Sequence, residues 1–357
     1  MRHRFAFSLA SALRSTFSKK TLAESVGVTP HTILRYEAGE IEPMEEVISR
    51  LSKVLAFPEG FFSEPDIDGP PGDTASFRSM SAISAKERDA ALAAGTLAYI
   101  VSDWVEQRFD LPKPDLLDLS GDTPEVAAVS LREKWRLGEQ PIKNMVHLLE
   151  AKGVRLFSMA ENTMSVDAFS VWREETPYIF LNTMKSAEHS RHDAAHELGH
   201  LVMHKHGGPR GRAAEDQANV FASAFLMPAS DVLALLPRIH TLNQVIEAKK
   251  RWAVSAMSLV HRLNRLKIMS DWQYRMFCIN ATDLGYRRAE PFGISREHSV
   301  VWHKVLTALW NERTTKSDIA RALHIPAEEI ENLLFGLAGD IGEPLAPLRP
   351  PLRLISD

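Results

Sequence analysis

The five residues His196-Glu-Leu-Gly-His200 combine the residue types and the spacing that a metal ion requires. On a helix, His196 and His200 lie one turn apart on the same face, about 6 Å apart along the axis. Two neutral imidazoles at that separation can bind one zinc ion, which prefers four ligands at about 2 Å. Glu197 would lie beside the metal without binding it, where its carboxylate could take a proton from water. The pattern therefore predicts a zinc site that needs a further protein ligand.

A second helix, predicted over residues 215–227 and ended by Pro228, can supply that ligand. Glu215 near its start offers a carboxylate oxygen. Asn219 follows one turn later on the same face and can hydrogen-bond a ligand imidazole. Asp216 is the alternative ligand, but it points about 100° away from that face. We therefore expect Glu215 to be the third ligand.

Three other side chains near these motifs have weaker chemical interpretations. His204 lies about 12 Å along the helix from His196, too far for both to bind one ion, and is interpreted as a packing or rim residue. His192 and Tyr178 are candidate hydrogen-bond donors to an oxyanion, and for each a purely structural role is the alternative.

A family resemblance appears over roughly residues 150–230, in motifs that occur in a specific order: Asp193-Ala-Ala-His-Glu-Leu-Gly-His200, Glu215 to Asn219, Phe221-Ala222 and Leu226-Met227-Pro228. These motifs resemble the ImmA/IrrE-type metallopeptidases, zinc enzymes with a gluzincin-like site, many of which cleave a helix-turn-helix repressor. The resemblance implies that His196, His200 and Glu215 bind zinc and that Glu197 is the general base. Gln217 departs from the pattern, since the family frequently has Glu there.

The N-terminal region has a different character. Residues 1–36 carry six basic side chains against one acidic side chain, a local balance of +5. Short helices are predicted there, the first with Leu9, Leu13 and Phe17 inward and the third started by Thr29-Pro30. Over residues 5–62 the pattern resembles an XRE-type (Cro/repressor-type) helix-turn-helix, especially in Thr21-Leu-Ala-Glu-x-x-Gly-Val28 and Ile33-x-x-Tyr-Glu-x-Gly39.

That resemblance implies binding of operator DNA through this domain. Candidate base or phosphate contacts are His31, Thr32 and Arg35, candidate backbone contacts are Lys19 and Lys20, and the expected core comprises Leu22, Ala23, Val28, Ile33 and Leu34. Single domains of this kind bind operators weakly unless dimerised, which leaves a homodimer open. A helical bundle that docks on protein instead of DNA is the alternative.

We predict four segments: a helix-turn-helix domain at 1–63, a linker at 64–76, a metallopeptidase domain with flanking helices at 77–285, and a helical, winged-helix-like interaction domain at 286–357. The linker contains Pro, Gly and Asp in close succession. In the last segment, residues 317–334 repeat a helix-turn-helix-like pattern. Its second helix carries Glu328, Glu329 and Glu331, which repel phosphates, so an interaction role is favoured over DNA binding.

The hydrophobic period changes between residues 154 and 181. Val154–Phe157, Ala168–Trp172 and Tyr178–Leu181 are short β-branched and aromatic runs, which predict a small sheet. The last run precedes the metal-binding helix. One hypothesis is that its exposed edge pairs with an extended peptide substrate, and the alternative is an internal strand without a free edge. The expected fold is therefore α+β and mostly α.

Composition limits the function classes further. At 357 residues and 45% hydrophobic, the chain can bury two or three cores. Its one cysteine, Cys278, excludes an intrachain disulfide and a Cys-based zinc finger and fits a reducing cytoplasm. The N-terminal apolar run is short and broken by serine, so export is not expected. No stretch approaches 18 uninterrupted apolar residues, so no contact with membrane is expected.

Two function classes remain after these exclusions. The first is a zinc-dependent regulatory peptidase, located on DNA or on a repressor partner by its helix-turn-helix domain. The second is a DNA-binding transcriptional regulator, of a stress or toxin–antitoxin type, in which the zinc site is structural or sensory and no peptide bond is cut. Glu197 distinguishes them, because a structural site has no need of a carboxylate there.

Overall fold

A computed structural model describes most of the chain, and its described residues are 18–65, 67–71, 84–159, 167–205, 211–286 and 289–339. The predicted first helix with Leu9, Leu13 and Phe17 lies outside them. The expected α+β, mostly helical class is confirmed, with one small sheet, an N-terminal helix-turn-helix region and a helical C-terminal part. No single described helix combines the length and apolar composition needed to cross a bilayer, and one pair of helices passes that test only across a 57° bend.

The described part of the N-terminal region contains the short helices α1 (Lys19–Val26), α2 (Pro30–Glu37) and α3 (Glu45–Leu55), followed by a 3-10 helix at Glu59–Ser63. The Ser18 side chain caps α1, and the left-handed Gly27 (φ 71°) ends it. Thr29 caps α2, with Pro30 in its first turn. Local sequence therefore sets the boundaries of both helices around the tight turn.

The middle of the chain begins with three helices and a sheet. These are α4 (Ala85–Glu106), α5 (Pro124–Lys134), α6 (Met145–Ala151), β1 (Arg155–Ser158), β2 (Ala168–Arg173) and β3 (Thr176–Leu181). A capping box between Ser84 and Glu87 starts the long helix α4. All three predicted strands are present.

The strand order corrects one hypothesis. The sheet has the order β1-β3-β2, with β1 parallel and β2 antiparallel to β3. Because β3 is the central strand, the idea that its exposed edge pairs with substrate is wrong. Strand β3, which precedes the helix that carries His196 and His200, is hydrogen-bonded on both sides. Its second edge is covered by the parallel strand β1, and the local sequence pattern of β3 does not reveal this pairing.

Six helices follow the sheet: α7 (Ala187–Met203), α8 (Arg212–Leu226), α9 (Ala229–Leu235), α10 (Leu242–Ala248), α11 (Ala256–Arg265) and α12 (Asp271–Asp283). A short 3-10 helix at Lys249–Arg251 extends α10. Helix α7 packs on one face of the sheet, together with Ala168, Ile179 and Leu181. The opposite face, with Phe169, Tyr178 and Phe180, packs in a second core that includes α4.

The C-terminal part consists of α13 (Val300–Asn311), α14 (Lys316–Ala322) and α15 (Ala327–Leu334). Helix α15 is the second helix of the helix-turn-helix-like pattern, and it packs against β1 and α4. Its residues Ile330, Leu333 and Leu334 are buried. This face of α15 therefore packs against the chain itself.

Two carboxylates, the buried Glu150 and the half-buried Glu297, join α13 to the middle of the chain. Glu150 at the end of α6 accepts hydrogen bonds from the backbone of Val300 (2.9 Å) and Val301 (3.3 Å). Glu297, just before α13, accepts from the backbone of Met145 (2.8 Å) at the start of α6 and also contacts Arg191 of α7. Each helix thus receives an N-terminal acceptor from the other segment, and the contact with Arg191 couples the C-terminal part to α7.

Candidate metal centre

The candidate centre depends on a close approach of α7 and α8. Ser186 caps α7, and Ala194, Ala195, Leu198 and Leu201 bury one side of it. On the other side, a Cβ atom at Gly199 would lie only 3.0 Å from the ring of Phe221 and 3.4 Å from the Cα atom of Ala218. A larger residue would therefore push α8 away. This glycine keeps α8 close enough for Glu215 to reach the imidazoles.

Three side chains converge at this contact. The Nε2 atoms of His196 and His200 are 3.1 Å apart. The Glu215 carboxylate lies 3.2 Å from Nε2 of His196 and 2.9 Å from Nε2 of His200. The structure thus brings together the three residues that the sequence predicted as ligands.

The spacing of these side chains is compatible with a shared ion. Ligand atoms about 2 Å from a tetrahedral zinc are about 3.3 Å apart. The two Nε2 atoms are 3.1 Å apart, and each lies within 3.2 Å of a different oxygen of the Glu215 carboxylate. Oε1 of Glu215 is buried and has no hydrogen-bond partner among the described residues, although a His200 nitrogen lies 2.9 Å away. A cation shared by the three side chains would give this oxygen a partner and would lie between the closely spaced Nε2 and carboxylate oxygen atoms. Among the described residues, this is the one group of three or more His, Cys, Asp or Glu side chains placed to hold an ion.

The protonation states of His200 and Glu215 suit a metal. Burial lowers the pKa of His200 to about 4, so its ring is neutral and can offer a lone pair. Burial would lower the pKa of His196 as well, but the Glu215 carboxylate beside it holds that pKa above its usual value. Burial alone would raise the pKa of Glu215, but the two imidazoles beside it hold that pKa well below its usual range. Glu215 is therefore a carboxylate at neutral pH, while Asp216, the alternative ligand, is exposed and outside the cluster.

Hydrogen bonds orient both ligand imidazoles. Nδ1 of His196 lies 3.2 Å from Oδ1 of Asn219, one turn after Glu215 on α8. Nδ1 of His200 lies 2.9 Å from Nδ1 of His204, and Nε2 of His204 lies 3.1 Å from Oε1 of Gln217. His204, interpreted from sequence as a packing or rim residue, is buried and also contacts the candidate ligand His200. Sequence reasoning missed this contact, although the i,i+4 spacing of His200 and His204 was a signal for it.

Glu197 points toward the sheet. Its side chain is buried, and the Ser170 hydroxyl of β2 donates a 2.6 Å hydrogen bond to Oε2. Burial raises the pKa of Glu197 to about 7. A carboxyl group with that pKa exchanges protons readily at neutral pH, as a general base must. The sequence could not predict the contact between Ser170 and Glu197, because the two residues lie 27 positions apart in the chain.

This pKa leads to a stability prediction for the zinc-free protein. The pKa of Glu197 in the folded state lies above the usual 4.5, so folding favours its neutral acid form. The contribution of this preference to the free energy of unfolding is complete below about pH 4.5 and is lost as the pH rises through about 7. Glu197→Gln stays neutral at every pH. We expect the two proteins to have similar stability near pH 4 and the variant to be more stable at pH 8, by on the order of 3 kcal/mol.

Urea denaturation in excess chelator at both pH values measures this difference. Asp216→Asn, which removes an exposed carboxylate nearby, is the control and should follow wild type. A constant difference between Glu197→Gln and wild type across the pH range would contradict the raised pKa.

The two candidate oxyanion donors are placed differently. Tyr178 is buried on the sheet face opposite α7, where its ring packs against Tyr99, so it cannot serve this site. His192 lies one turn before His196, and burial lowers its pKa to about 3, which keeps the ring neutral. His192 and Asn219 line a cleft of about 1120 Å³ between α7, α8 and α11, whose walls are polar and apolar in about equal measure. Because Asn219 also contacts His196, the cleft lies next to the candidate metal ligands.

In the N-terminal region, the predicted DNA contacts lie on the surface. His31 and Lys20 are exposed, Thr32 and Arg35 are half-buried, and Lys19 pairs with Glu37 at 2.6 Å. Arg35 is 3.2 Å from Glu40. Leu34, which was predicted as core, is 46% exposed. The helical repeat puts Leu34 on the same side of α2 as His31 and Arg35. The core face of α2 consists of Ile33 and Tyr36, so the prediction for Leu34 is wrong.

Comparisons with known proteins agree with both parts. Residues 149–264 match the family model of the IrrE N-terminal-like domain, a peptidase family, and residues 13–62 match the helix-turn-helix family model. A search of curated proteins gave no match to the chain. The chain thus carries an XRE-type helix-turn-helix domain and a domain of the ImmA/IrrE peptidase type, and the first of these supports binding to DNA.

Proposed function

We propose that the protein is a zinc-dependent regulatory peptidase of the cytoplasm, with a DNA-binding domain on the same chain. One observation carries the proposal: ligand atoms of His196, His200 and Glu215 lie within 4.8 Å of one another, next to a buried carboxylate that is not part of the cluster. The match to the IrrE N-terminal-like domain supports it. The neighbouring cleft is large enough to hold a segment of peptide.

The chain's own residues account for the remaining chemistry. A zinc ion held by the three ligands would act as a Lewis acid toward a peptide carbonyl and make water easier to deprotonate. Glu197 takes a proton from the attacking water and passes it to the amide nitrogen as the carbon–nitrogen bond breaks. Ser170 orients Glu197 through their 2.6 Å hydrogen bond. Asn219 orients His196.

The cleft gives the substrate a place to bind. Its lining includes serine, histidine and asparagine side chains, which can hydrogen-bond the backbone of an extended peptide. We propose that the substrate is a repressor-type transcription factor, as the family resemblance implies, and that its cleavage changes gene expression.

A direct experiment tests this proposal. The purified protein is loaded with zinc, its metal content is measured, and it is incubated with the repressor encoded beside its own gene. Mass spectrometry should show two fragments of that repressor in the zinc-loaded sample and none in the chelator-treated sample. An intact repressor in both samples, despite bound zinc, would favour the rival function of a transcriptional regulator with a structural or sensory metal.

The DNA-binding part leads to a separate prediction. Arg35→Ala removes a cation from the surface of α2, and we expect it to weaken DNA binding by about 1–3 kcal/mol, or roughly 5- to 150-fold. The measurement is the gel-shift midpoint on a fragment selected from random DNA by the wild-type protein. Arg275→Ala on α12 removes the same charge outside this domain and is the control. An unchanged midpoint for Arg35→Ala would contradict its role as a contact.

A further inference from the structure

We propose that His204 and Gln217 are positioning residues that hold the ligand His200 in the tautomer whose Nε2 atom can bind the ion. This inference rests on the proposed zinc site. The observation behind it is an unbroken chain of contacts: Nδ1 of His200 to Nδ1 of His204 at 2.9 Å, then Nε2 of His204 to Oε1 of Gln217 at 3.1 Å. We call these two residues the His204–Gln217 relay.

The relay determines where each proton lies. An amide oxygen only accepts, so Nε2 of His204 must carry a proton to donate to Gln217. A neutral imidazole has one N–H group, which makes Nδ1 of His204 an acceptor. Nδ1 of His200 must then be the donor in the ring-to-ring contact. Its Nε2 atom keeps a lone pair directed at the Glu215 carboxylate, where the ion would lie.

Burial makes this arrangement hard to replace. His200 is 4% exposed and His204 is 7% exposed, so little water can reach the contact between the rings. The other ligand, His196, has a simpler arrangement, since Asn219 contacts its Nδ1 directly. Helix α8 thus provides the third ligand and both amide oxygens that orient the imidazoles of α7. For His200 the contact with the amide is indirect. The amide oxygen of Gln217 contacts Nε2 of His204, and Nδ1 of His204 contacts Nδ1 of His200.

The relay also explains how this chain functions with Gln where the family frequently has Glu. Either side chain offers an oxygen acceptor to His204, so Gln217→Glu should bind zinc at least as tightly as wild type. Gln217→Leu has a similar volume but no acceptor and should bind zinc more weakly. His204→Phe keeps a ring at that position and removes both nitrogens, so we expect a loss of zinc affinity of about 10- to 100-fold.

Competition with a chromophoric chelator measures the zinc dissociation constant of each variant, and thermal unfolding of the zinc-free proteins checks their fold. Because Gln217 acts through His204, the double variant should bind zinc no more weakly than His204→Phe alone. Asp216→Asn is the matched control on α8 and should bind zinc like wild type. Equal affinities for wild type, His204→Phe and Gln217→Leu would overturn the relay.

A second measurement needs no metal. Nitrogen-15 NMR of the histidine rings should place the proton of His204 on Nε2 in the zinc-free wild type and show mixed tautomers in Gln217→Leu. A proton on Nδ1 of His204 in wild type would also overturn the relay. A wild-type protein that binds no zinc would contradict the proposed function instead, and the spectrum would still decide the relay separately.

Discussion

Glu197→Gln is expected to keep its bound zinc and to lose cleavage of the repressor by about 10²- to 10⁴-fold, the usual contribution of a general base. Glutamine has nearly the same shape, and its amide oxygen can still accept the 2.6 Å hydrogen bond from Ser170. It cannot take a proton from water at neutral pH. The ligand atoms of His196, His200 and Glu215 are not altered, so metal binding should remain.

Metal content and the cleavage rate, measured on the same preparation, test this prediction. Ser170→Ala is the matched variant, since it removes the partner of Glu197 and keeps the carboxylate. Its activity should lie between those of wild type and Glu197→Gln. Equal cleavage by Glu197→Gln and wild type would refute the general-base role, and loss of zinc from Glu197→Gln would show that this residue supports the metal instead.

The second large effect is expected at the acidic ligand. Glu215→Ala removes the one carboxylate of the cluster and leaves two imidazoles, which are too few for a stable zinc site. We expect zinc content to fall from about one ion per chain to a small fraction after dialysis, and cleavage to disappear with it. The thermal stabilisation that zinc confers on the wild-type protein should be lost as well, because only binding to the folded state raises stability.

The neighbouring acid supplies the control. Asp216→Asn also removes one carboxylate from the first turn of α8, but Asp216 lies outside the ligand cluster. Its zinc content and its melting temperature with zinc should match those of wild type. If Asp216→Asn loses zinc and Glu215→Ala keeps it, the ligand assignment is wrong and Asp216 holds the ion.

Much of the local structure could be predicted from the sequence because short-range rules determine it. The helical repeat puts His196 and His200 on one face, and it does the same for Glu215 and Asn219. Capping residues such as Thr29 and Ser186 start their helices, and the β-branched and aromatic runs form the three strands. In each case the residues that set the structure lie within one or two turns of one another.

Leu34 shows where such rules fail even within one helix. Its apolar side chain predicted a core position, but the short helix α2 buries only the face of Ile33 and Tyr36. Leu34 is therefore exposed, on the same side of α2 as His31 and Arg35. Hydrophobicity alone does not decide burial, because an apolar residue can remain on the surface when its face of the helix has no packing partner.

Local patterns were enough to predict the class of fold, the helix-turn-helix and the residue types of the candidate metal centre. Packing between distant elements was needed to show that β3 is the central strand, that Ser170 reaches Glu197, that Gln217 reaches His204, and that α15 packs on β1 and α4. The physical reason is separation along the chain. These contacts join elements whose relative positions depend on how whole faces pack, and no local spacing in the sequence encodes that packing.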